Sequence, residues 1–376
     1  MATVDKNDPQ LLPCATALDT LLKAAVLAPS GDNTQPWRFD VYRRQWTILV
    51  DVDPTRDASP MNVGQRMAWI AIGAAIENMV QTAEGHGWQY RLTDMTGDRP
   101  VRFQLEPTTE IGTIDPNITA RATNRKVYNG GEIPPAYIAA LQADTAEIDG
   151  VSAHWITDRG ALAQLSHLIA RADALILGTK PIRDAFLAKV RFDQPANAIV
   201  DEGLSLGSLE ISAAERFMLG WMRYVPDGPL RLLGGRSVFA SAAKKLALSA
   251  SGLCLITAPD DSHASKIPIG RVWQRAWLAL TKQKLACQPM MSLVVLRNIR
   301  DHGPKALLEQ IGKSASESLL EDFEFAFGES ASSRVAAIMR IGWSAAPTSR
   351  TGRLHGKVLD KDFSSAEMRS DYGSKR

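Results

Sequence analysis

Two long helical patterns constrain the fold of this chain more than any other feature. The first runs roughly from 63 to 84, carries small residues on one face, and ends at Gly85-His86-Gly87. A small-residue face allows a second helix to approach closely, and another long helix is predicted from 270 to 285. The segments that begin at Gly64 and at Gly270 resemble each other weakly, which fits an internal duplication without proving one.

Short strand-like runs alternate with these and other helical patterns. Apolar periodicity predicts strands at 37–42, 46–50, 88–92, 101–105, 151–157, 252–257, 293–296 and 335–343. It predicts further helices at 16–27, 134–141 and 162–177. The mixture indicates a fold with both helices and sheets.

Composition places the chain among ordinary globular proteins, with 376 residues, 45% hydrophobic and 22% charged. The net charge of +2 gives no global attraction to nucleic acid or to an anionic membrane. The 3 cysteines are too scattered for a disulfide framework or a metal site, and we expect no metal. Residues 1–10 are polar and acidic, and charged residues interrupt the apolar stretches, so we expect a cytoplasmic protein without a membrane span.

The loop at 28–37 combines rigid, small and polar residues directly after a helical pattern. Pro29 and Pro36 fix the backbone angle φ at two points, and Gly31 permits a turn that is closed to other residues. The side chains that offer hydrogen-bonding groups are those of Ser30, Asp32, Asn33 and Gln35. Such a loop suits a planar ligand with polar edges, although an ordinary surface turn ahead of a strand has the same composition.

A second polar segment, at 121–128, carries alternating basic and hydroxyl side chains. The alternation of Arg121, Thr123 and Arg125 places all three on one face of an extended segment. Guanidinium groups offer fork-shaped donors that suit a phosphate. The alternative for this segment taken alone is a solvated basic strand.

Together the two segments resemble the signatures of the nitroreductase family. In that family an Arg-x-Ser/Thr-x-Arg/Lys segment grips the phosphate and ribityl chain of FMN. A Pro-Ser-x-x-Asn-x-Gln-Pro-Trp loop closes over the same flavin from the other subunit of a dimer. Here the loop Pro29–Trp37 precedes the segment Arg121–Arg125, an order that a fusion of two nitroreductase-like halves would produce. The resemblance implies one FMN per chain in an intramolecular pseudo-dimer, as in the Acg-like branch.

The implied fold is α+β and nitroreductase-like, with two tandem halves. The first half would span 1–115 and the second 116–363, followed by a tail at 364–376 that we expect to be disordered. Residues 192–236 interrupt the second half with many glycines and prolines. They are interpreted as a lid or cap, and a long connecting loop with one helix fits them equally well.

The resemblance also implies the cofactor contacts. The loop would contribute Pro29, Ser30, Gly31, Asn33 and Gln35, and the basic segment Arg121, Thr123 and Arg125. A C-terminal basic pair that reaches the phosphate in the family is matched by Arg350 and Arg353. Backbone amides beside the flavin N5 would come from Gln288, Pro289, Met290 and Met291. Trp273 and Trp277 could line the ring pocket, or could belong to the core because of their helical spacing.

The chain carries no readable catalytic triad, no Gly-x-Gly-x-x-Gly after a strand and no phosphate-binding loop. A flavin would carry the redox step itself, so we expect no catalytic side chain.

The resemblance implies an FMN-dependent oxidoreductase that transfers hydride through the flavin N5 to or from a small organic substrate, with NADPH, NADH or the substrate itself as donor. Two alternatives stay open: a flavin-sequestering or sensing protein whose insertion covers FMN, and a non-flavin protein with degraded motifs. The protein would be a monomer or a homodimer, without nucleic-acid or membrane partners.

Overall fold

The computed structural model of the protein describes residues 16–97, 99–224, 235–328, 334–354 and 358–360. The helices, numbered in chain order, are α1 Ala17–Val26, α2 Arg66–Gly85, α3 Pro116–Ala120, α4 Pro135–Asp144, α5 Arg159–Leu177, α6 Lys180–Lys189, α7 Ala213–Met222, α8 Gly235–Leu248, α9 Lys266–Lys282, α10 Ser292–His302, α11 Lys305–Ile311 and α12 Lys313–Phe327. The strands are β1 Trp37–Tyr42, β2 Thr47–Val52, β3 Tyr90–Thr93, β4 Val101–Leu105, β5 Ser152–Ile156, β6 Val190–Arg191, β7 Leu204–Ser205, β8 Gly252–Thr257, β9 Ala286–Pro289, β10 Val335–Gly342 and β11 Val358–Asp360. The predicted tail at 364–376, residues 1–10 and positions 225–234 of the predicted insertion lie outside the described residues.

A five-stranded sheet in the order β11-β1-β2-β4-β3 forms one side of the fold. Strands β1 and β2 make an antiparallel hairpin in which Trp37 pairs with Val52, and a short turn at Arg43–Gln45 joins them. The late strand β11 pairs parallel to β1, so that Phe39 lies opposite Val358. The C-terminal part of the chain therefore completes a sheet whose other strands come from residues 37–105.

A four-stranded antiparallel sheet, β5-β8-β10-β9, is built from residues between 152 and 342. Every residue of its inner strand β10 is buried, including Arg340. The guanidinium of Arg340 donates hydrogen bonds to carbonyl oxygens, among them that of Lys126 at 2.7 Å. It also stacks on Tyr128, 3.8 Å from the ring centroid. The strand that fills the core thus also fixes the path of the basic segment at 121–128.

The helices α2 and α9 cross at a pair of glycines. A Cβ added to Gly270 would overlap the carbonyl oxygen of Ile70, and one added to Gly73 would overlap that of Ile267. The two contacts are reciprocal, since in each case the oxygen belongs to the residue three positions before the opposing glycine. The close packing that the sequence predicts for the first long helix is therefore present in the structure.

Polar groups extend the same crossing beyond the glycines. The fully buried carboxylate of Glu77 on α2 accepts hydrogen bonds from Arg271 at 3.0 Å and Arg275 at 2.7 Å on α9. Asn78 accepts one from the side chain of Gln274 at 2.7 Å. Because the buried charge has two cationic partners, the pairing avoids the large penalty of an isolated buried carboxylate.

Two differences from the sequence-based predictions concern helices α10 and α9. The predicted strand at 293–296 is part of helix α10, because an apolar run of four residues does not distinguish a buried strand from one face of a buried helix. Helix α9 begins at Lys266 rather than at 270, since Pro268 is tolerated in a first turn. Gly270 packs against Gly73, whereas Gly64 lies in a short turn with φ of 60°. The glycine that faces Gly270 is therefore Gly73, and the internal duplication stays a prediction.

Among the described residues, no helix combines the length and the apolar character that crossing a membrane requires. No group of three or more His, Cys, Asp or Glu side chains in those residues could hold a metal ion.

Candidate functional site

Two adjacent cavities lie where the loop after α1 meets helices α2 and α9. They share the wall residues Pro29, Ser30, Asp32, Thr123 and Arg125. Both sequence segments singled out above, the loop at 28–37 and the basic segment at 121–128, therefore border both cavities. About ninety residues separate these segments along the chain, and the fold brings them to one place.

The first cavity, here called the apolar cavity, has a volume of about 240 Å³. Helix α2 contributes Met67, Ile70, Ala71 and Ala74 to its wall, and helix α9 contributes Trp273 and Trp277. The rest of its wall is formed by Gly31, Asp57, Ser59, Met61, Gln288, Pro289, Met291, Val295 and the shared residues. The two tryptophans also belong to the hydrophobic core, so the pocket and core interpretations of this pair both hold.

The second cavity, here called the arginine cavity, has a volume of about 350 Å³. Its distinguishing wall residues are Arg121, Arg350 and Arg353. Residues of the predicted insertion also line it, namely Ile199, Asp201, Leu204 and Ser208. The segment at 192–224 is therefore a wall of the candidate site, whichever of the two interpretations of the insertion applies.

The loop after α1 is held in an unusual backbone conformation. Asp32, Asn33 and Gln35 all adopt positive φ values, of 45°, 55° and 52°. Asparagine and aspartate tolerate this region better than other non-glycine residues. The Nε of Arg353 donates to the carbonyl oxygen of Val26 at 2.7 Å and so caps the end of α1 where the loop departs. The side chain of Arg353 thus positions the loop as well as lining the cavity.

The three arginines of the arginine cavity form a cluster of positive charge without a carboxylate partner. The pKa of Arg121 is lowered to about 9, mainly by burial and also by the nearby charges of Arg353 and Arg350. Burial first, and then Arg350, lower the pKa of Arg353 to about 10. No ion pair joins any of the three to an acidic side chain in the part of the chain that the structure describes. Such a cluster is stabilised by an anion.

Arg121 links the two cavities physically. Its guanidinium lies 4.6 Å from the ring centroid of Trp277, and that ring stacks on Trp273 at 6.5 Å. One nitrogen donates to the carbonyl oxygen of Leu27 at 3.2 Å, but the buried Nε has no hydrogen-bond partner among the described residues. The same holds for the buried indole nitrogen of Trp273. Buried donors of this kind are rare, and a bound acceptor would satisfy them.

Core contacts fix the basic segment at 121–128. The backbone N–H of Asn124 donates to the carbonyl oxygen of Cys287 at 2.9 Å, and its side chain donates to that of Ala345 at 2.8 Å. Arg125 then reaches the carbonyl oxygen of Ser208 at 2.9 Å. The backbone between Thr123 and Arg125 is thereby pinned between the second sheet and the insertion.

The structure brings most of the predicted site residues to the two walls. Those on a wall are Pro29, Ser30, Gly31, Asn33, Arg121, Thr123, Arg125, Gln288, Pro289, Met291, Arg350 and Arg353. Gln35 and Met290 are not on either wall. The side chain of Gln35 donates to the carbonyl oxygen of Asp201 at 2.6 Å and accepts from the backbone of Leu354 at 2.9 Å, so it ties the loop to the second half of the chain.

The backbone donors predicted at 288–291 are fewer than expected. Pro289 has no N–H, and the N–H of Met290 is engaged with the carbonyl oxygen of Ile338 at 2.8 Å. The side-chain oxygen of Gln288 accepts from Arg340 at 2.8 Å. Gln288 pairs with Arg340 on the same hydrogen-bonding side of β9 as Met290, so of these four residues only Met291 has an N–H that can face a ligand. Pairing with the inner strand β10 accounts for this difference, and the sequence does not reveal that pairing.

Two acidic residues on the wall of the apolar cavity were not among the predicted site residues. Asp32 lies within the loop, and its polar character is visible in the sequence. Asp57 follows β2 and is 5% exposed, and nothing in its local sequence marks it as part of a site. The pKa of Asp32 is raised to about 6, mainly by burial and also by Asp57, while the positive charges of Arg125 and Lys189 oppose the increase. Burial also raises the pKa of Asp57.

Comparisons with known proteins place few constraints on this site. No protein-family model matches the chain. Uncharacterized protein MT1398 of Mycobacterium tuberculosis (strain CDC 1551 / Oshkosh) is 25% identical over 285 residues, which cover 72% of this chain. The chain spans only 38% of the length of that relative. A crystal structure of a nitroreductase with bound FMN from Bacteroides fragilis NCTC 9343 is similar at a TM-score of 0.31 and 12% identity, over 69% of this chain and 95% of the other. That TM-score is too low to support a functional inference.

Proposed function

We propose that the protein is an FMN-dependent oxidoreductase of nitroreductase-like character that acts on a small organic molecule. The observation that carries this proposal is the junction of the two cavities. An apolar cavity with tryptophan and methionine walls opens beside a cavity lined by three arginines without acidic partners, and both are bordered by the segments that resemble FMN-binding signatures. FMN has the matching division into a flat ring system and an anionic phosphate.

The residues present fit this cofactor at the level of donor chemistry. Arg121, Arg350 and Arg353 would hold the phosphate, and the unpartnered Nε of Arg121 is one donor still to be satisfied. The hydroxyl and amide groups of Ser30, Thr123 and Asn33 are suited to the ribityl chain. Trp273, Trp277 and the methionines would cover the ring.

When bound, FMN supplies two-electron hydride transfer at N5. The residues of the chain bind and orient the reactants and keep water from the apolar cavity, which strengthens electrostatic interactions inside it. Arg125, on both walls, supplies positive charge at the junction. We propose no catalytic side chain for the hydride step, and we retain NADPH, NADH or the substrate as the electron donor.

We also propose that the chain consists of two tandem halves related as a pseudo-dimer. The reciprocal contacts of Gly73 and Gly270 support this arrangement, as does the contribution of β11 to a sheet otherwise built from residues 37–105. A pseudo-dimer with one loop and one basic segment would hold one FMN per chain. It would act as a monomer or a homodimer in the cytoplasm.

The test is the visible spectrum of the purified protein after incubation with FMN and gel filtration, before and after anaerobic addition of NADPH or NADH. We expect a flavin spectrum with one FMN per chain that bleaches when the nicotinamide is added. A protein that stays colourless after FMN has been supplied would reject the proposal.

A second function, flavin sequestration, is favoured by one observation. The segment at 192–224 contributes Ile199, Asp201, Leu204 and Ser208 to the arginine cavity, so the insertion covers part of the site. A covered flavin would bind stoichiometrically but would not bleach with NADPH or NADH. The same experiment therefore separates this alternative from the reductase, and it leaves a substrate-driven dehydrogenase to be tested with reduced organic donors.

The raised pKa of Asp32 predicts a pH dependence of FMN binding. Asp32 ionises as the pH rises through about 6. Its carboxylate, on the shared wall and near Asp57, then repels an anionic ligand, and the positive charges of Arg125 and Lys189 oppose this repulsion. We expect Asp32→Asn to bind FMN about three- to tenfold more tightly than wild type at pH 8, with no difference at pH 5. Fluorescence titration gives the dissociation constants of wild type and of Asp32→Asn at each pH. Their ratio cancels the effect of the ionisation of the FMN phosphate, which is the same for both proteins. A ratio that is constant with pH would contradict the assignment.

A further inference from the structure

The apolar cavity carries an acidic pair that the proposed FMN site does not require. Asp32 and Asp57 both line it, and the carboxylate of Asp57 lies next to the loop, 3.7 Å from the position that a Cβ on Gly31 would occupy. Asp57 is 5% exposed, and its nearest donor is the backbone N–H of Ser59 at 3.4 Å, which is a weak hydrogen bond. A carboxylate held out of bulk water in this way favours a cationic or strongly donating partner.

The basic groups around the acidic pair do not supply that partner. Arg125 and Lys189 lower the pKa of Asp32 and so oppose the increase that burial causes. Neither forms an ion pair with Asp32 or Asp57 within the ranges that the structure describes. Lys189 instead lies 3.7 Å from Glu202, and Arg125 donates to the carbonyl oxygen of Ser208. In the described part of the chain, therefore, no cation lies within ion-pair distance of the acidic pair.

The remaining wall of the cavity has the chemistry that recognises organic cations. Trp273 and Trp277 lie on it. With FMN bound they would cover the flavin ring, and without FMN their electron-rich faces attract ammonium groups. Met61, Met67 and Met291 add polarisable thioethers that accommodate different shapes. Arg125 also lies on this wall, but the arginine cavity holds three further guanidinium groups at the other end of the site. An anionic molecule would be favoured there, and a cation in the apolar cavity.

We propose that the apolar cavity binds small organic cations, with a protonated or quaternary nitrogen held by Asp32 and Asp57 on the loop side of the cavity. This names the substrate class of the oxidoreductase, and it rests on the proposed function for the reaction, because FMN would supply the redox partner. The preference for a cation follows from the wall itself and does not depend on FMN.

The test compares benzylamine, which is protonated at pH 7.5, with benzyl alcohol and benzoate, three ligands of similar size and different charge. Binding is measured by isothermal titration calorimetry on the full chain, with and without saturating FMN. We expect benzylamine to bind about tenfold or more tightly than benzyl alcohol, and benzoate to bind weakest. Asp32→Asn and Asp57→Asn should each reduce the preference for benzylamine to less than threefold. The exposed carboxylate variant Asp301→Asn should keep it.

Equal affinities for the three ligands, tightest binding of benzoate, or an unchanged preference in both variants would overturn the proposal. The two proposals fail separately. A protein that ignores FMN but prefers benzylamine would retain the cation site and lose the flavin function. A protein that binds FMN stoichiometrically without a preference for cations would retain the flavin function and lose the cation site. Circular dichroism of each variant checks that the fold is intact.

Discussion

Replacing Gly270 with alanine is expected to lower the free energy of unfolding by about 3 kcal/mol. The new Cβ would overlap the carbonyl oxygen of Ile70 on α2, and backbone atoms cannot move away as the end of a flexible side chain can. Helices α2 and α9 would have to separate, which would also loosen the pairing of Glu77 with Arg271 and Arg275. Urea denaturation followed by far-ultraviolet circular dichroism measures the change. The same shift is expected for Gly73→Ala, because its contact with Ile267 is reciprocal.

Gly85→Ala is the matched control, since Gly85 ends the same helix α2 and a Cβ there would meet nothing within 4 Å. We expect this variant to be as stable as wild type or about 1 kcal/mol more stable, because alanine favours a helix more than glycine does. The double variant Gly73→Ala with Gly270→Ala should lose less than the sum of the two single changes, because once the helices have separated the second methyl group costs less. Wild-type stability in Gly270→Ala, or an equal loss in Gly85→Ala, would show that the crossing is not a tight point of the fold.

The sequence reveals the local chemistry of the site better than its long-range geometry. The loop at 28–37 and the basic segment at 121–128 are recognisable from residue types alone, and the structure places both on the same two cavities. Helices α2 and α9 are also predictable, because long periodic patterns average over many residues. The run at 293–296 is too short for that averaging, and it proved to be helical.

What the sequence hides depends on partners far along the chain. Gln35 has the residue type of a ligand contact, but its side chain reaches the carbonyl oxygen of Asp201, 166 residues away. Met290 lies beside wall residues, yet its N–H is used by β10. Asp57 carries no local signal, and only burial beside the loop makes its carboxylate part of the site. A motif can therefore predict which segments meet, whereas the division of their polar groups between scaffold and ligand needs the fold.

Removing the positive charge of the arginine cavity should abolish the distinction between FMN and riboflavin, which lacks the phosphate. Arg350 is the most accessible member of the cluster, and its side chain donates to the carbonyl oxygens of Ala120 and, at 3.0 Å, of Arg121. A charge-assisted hydrogen bond is worth about 1.5–3 kcal/mol. We therefore expect Arg350→Ala to weaken FMN binding by about ten- to a hundredfold, while riboflavin binding changes less than threefold. Fluorescence titrations with the two flavins give both dissociation constants.

The double variant Arg121→Ala with Arg350→Ala should lose at least about a hundredfold in FMN affinity, since two of the three guanidinium groups are removed. Arg121 also packs on Trp277, so this variant reports on packing as well as on charge, and riboflavin separates the two effects because it tests the ring site alone. Arg38→Ala is the control, because Arg38 pairs with Asp51 on the five-stranded sheet and lines neither cavity. Equal losses for FMN and riboflavin would indicate damage to the ring cavity. Unchanged FMN affinity in the double variant would remove the phosphate from the arginine cavity and, with it, the basis for placing a flavin across the two cavities.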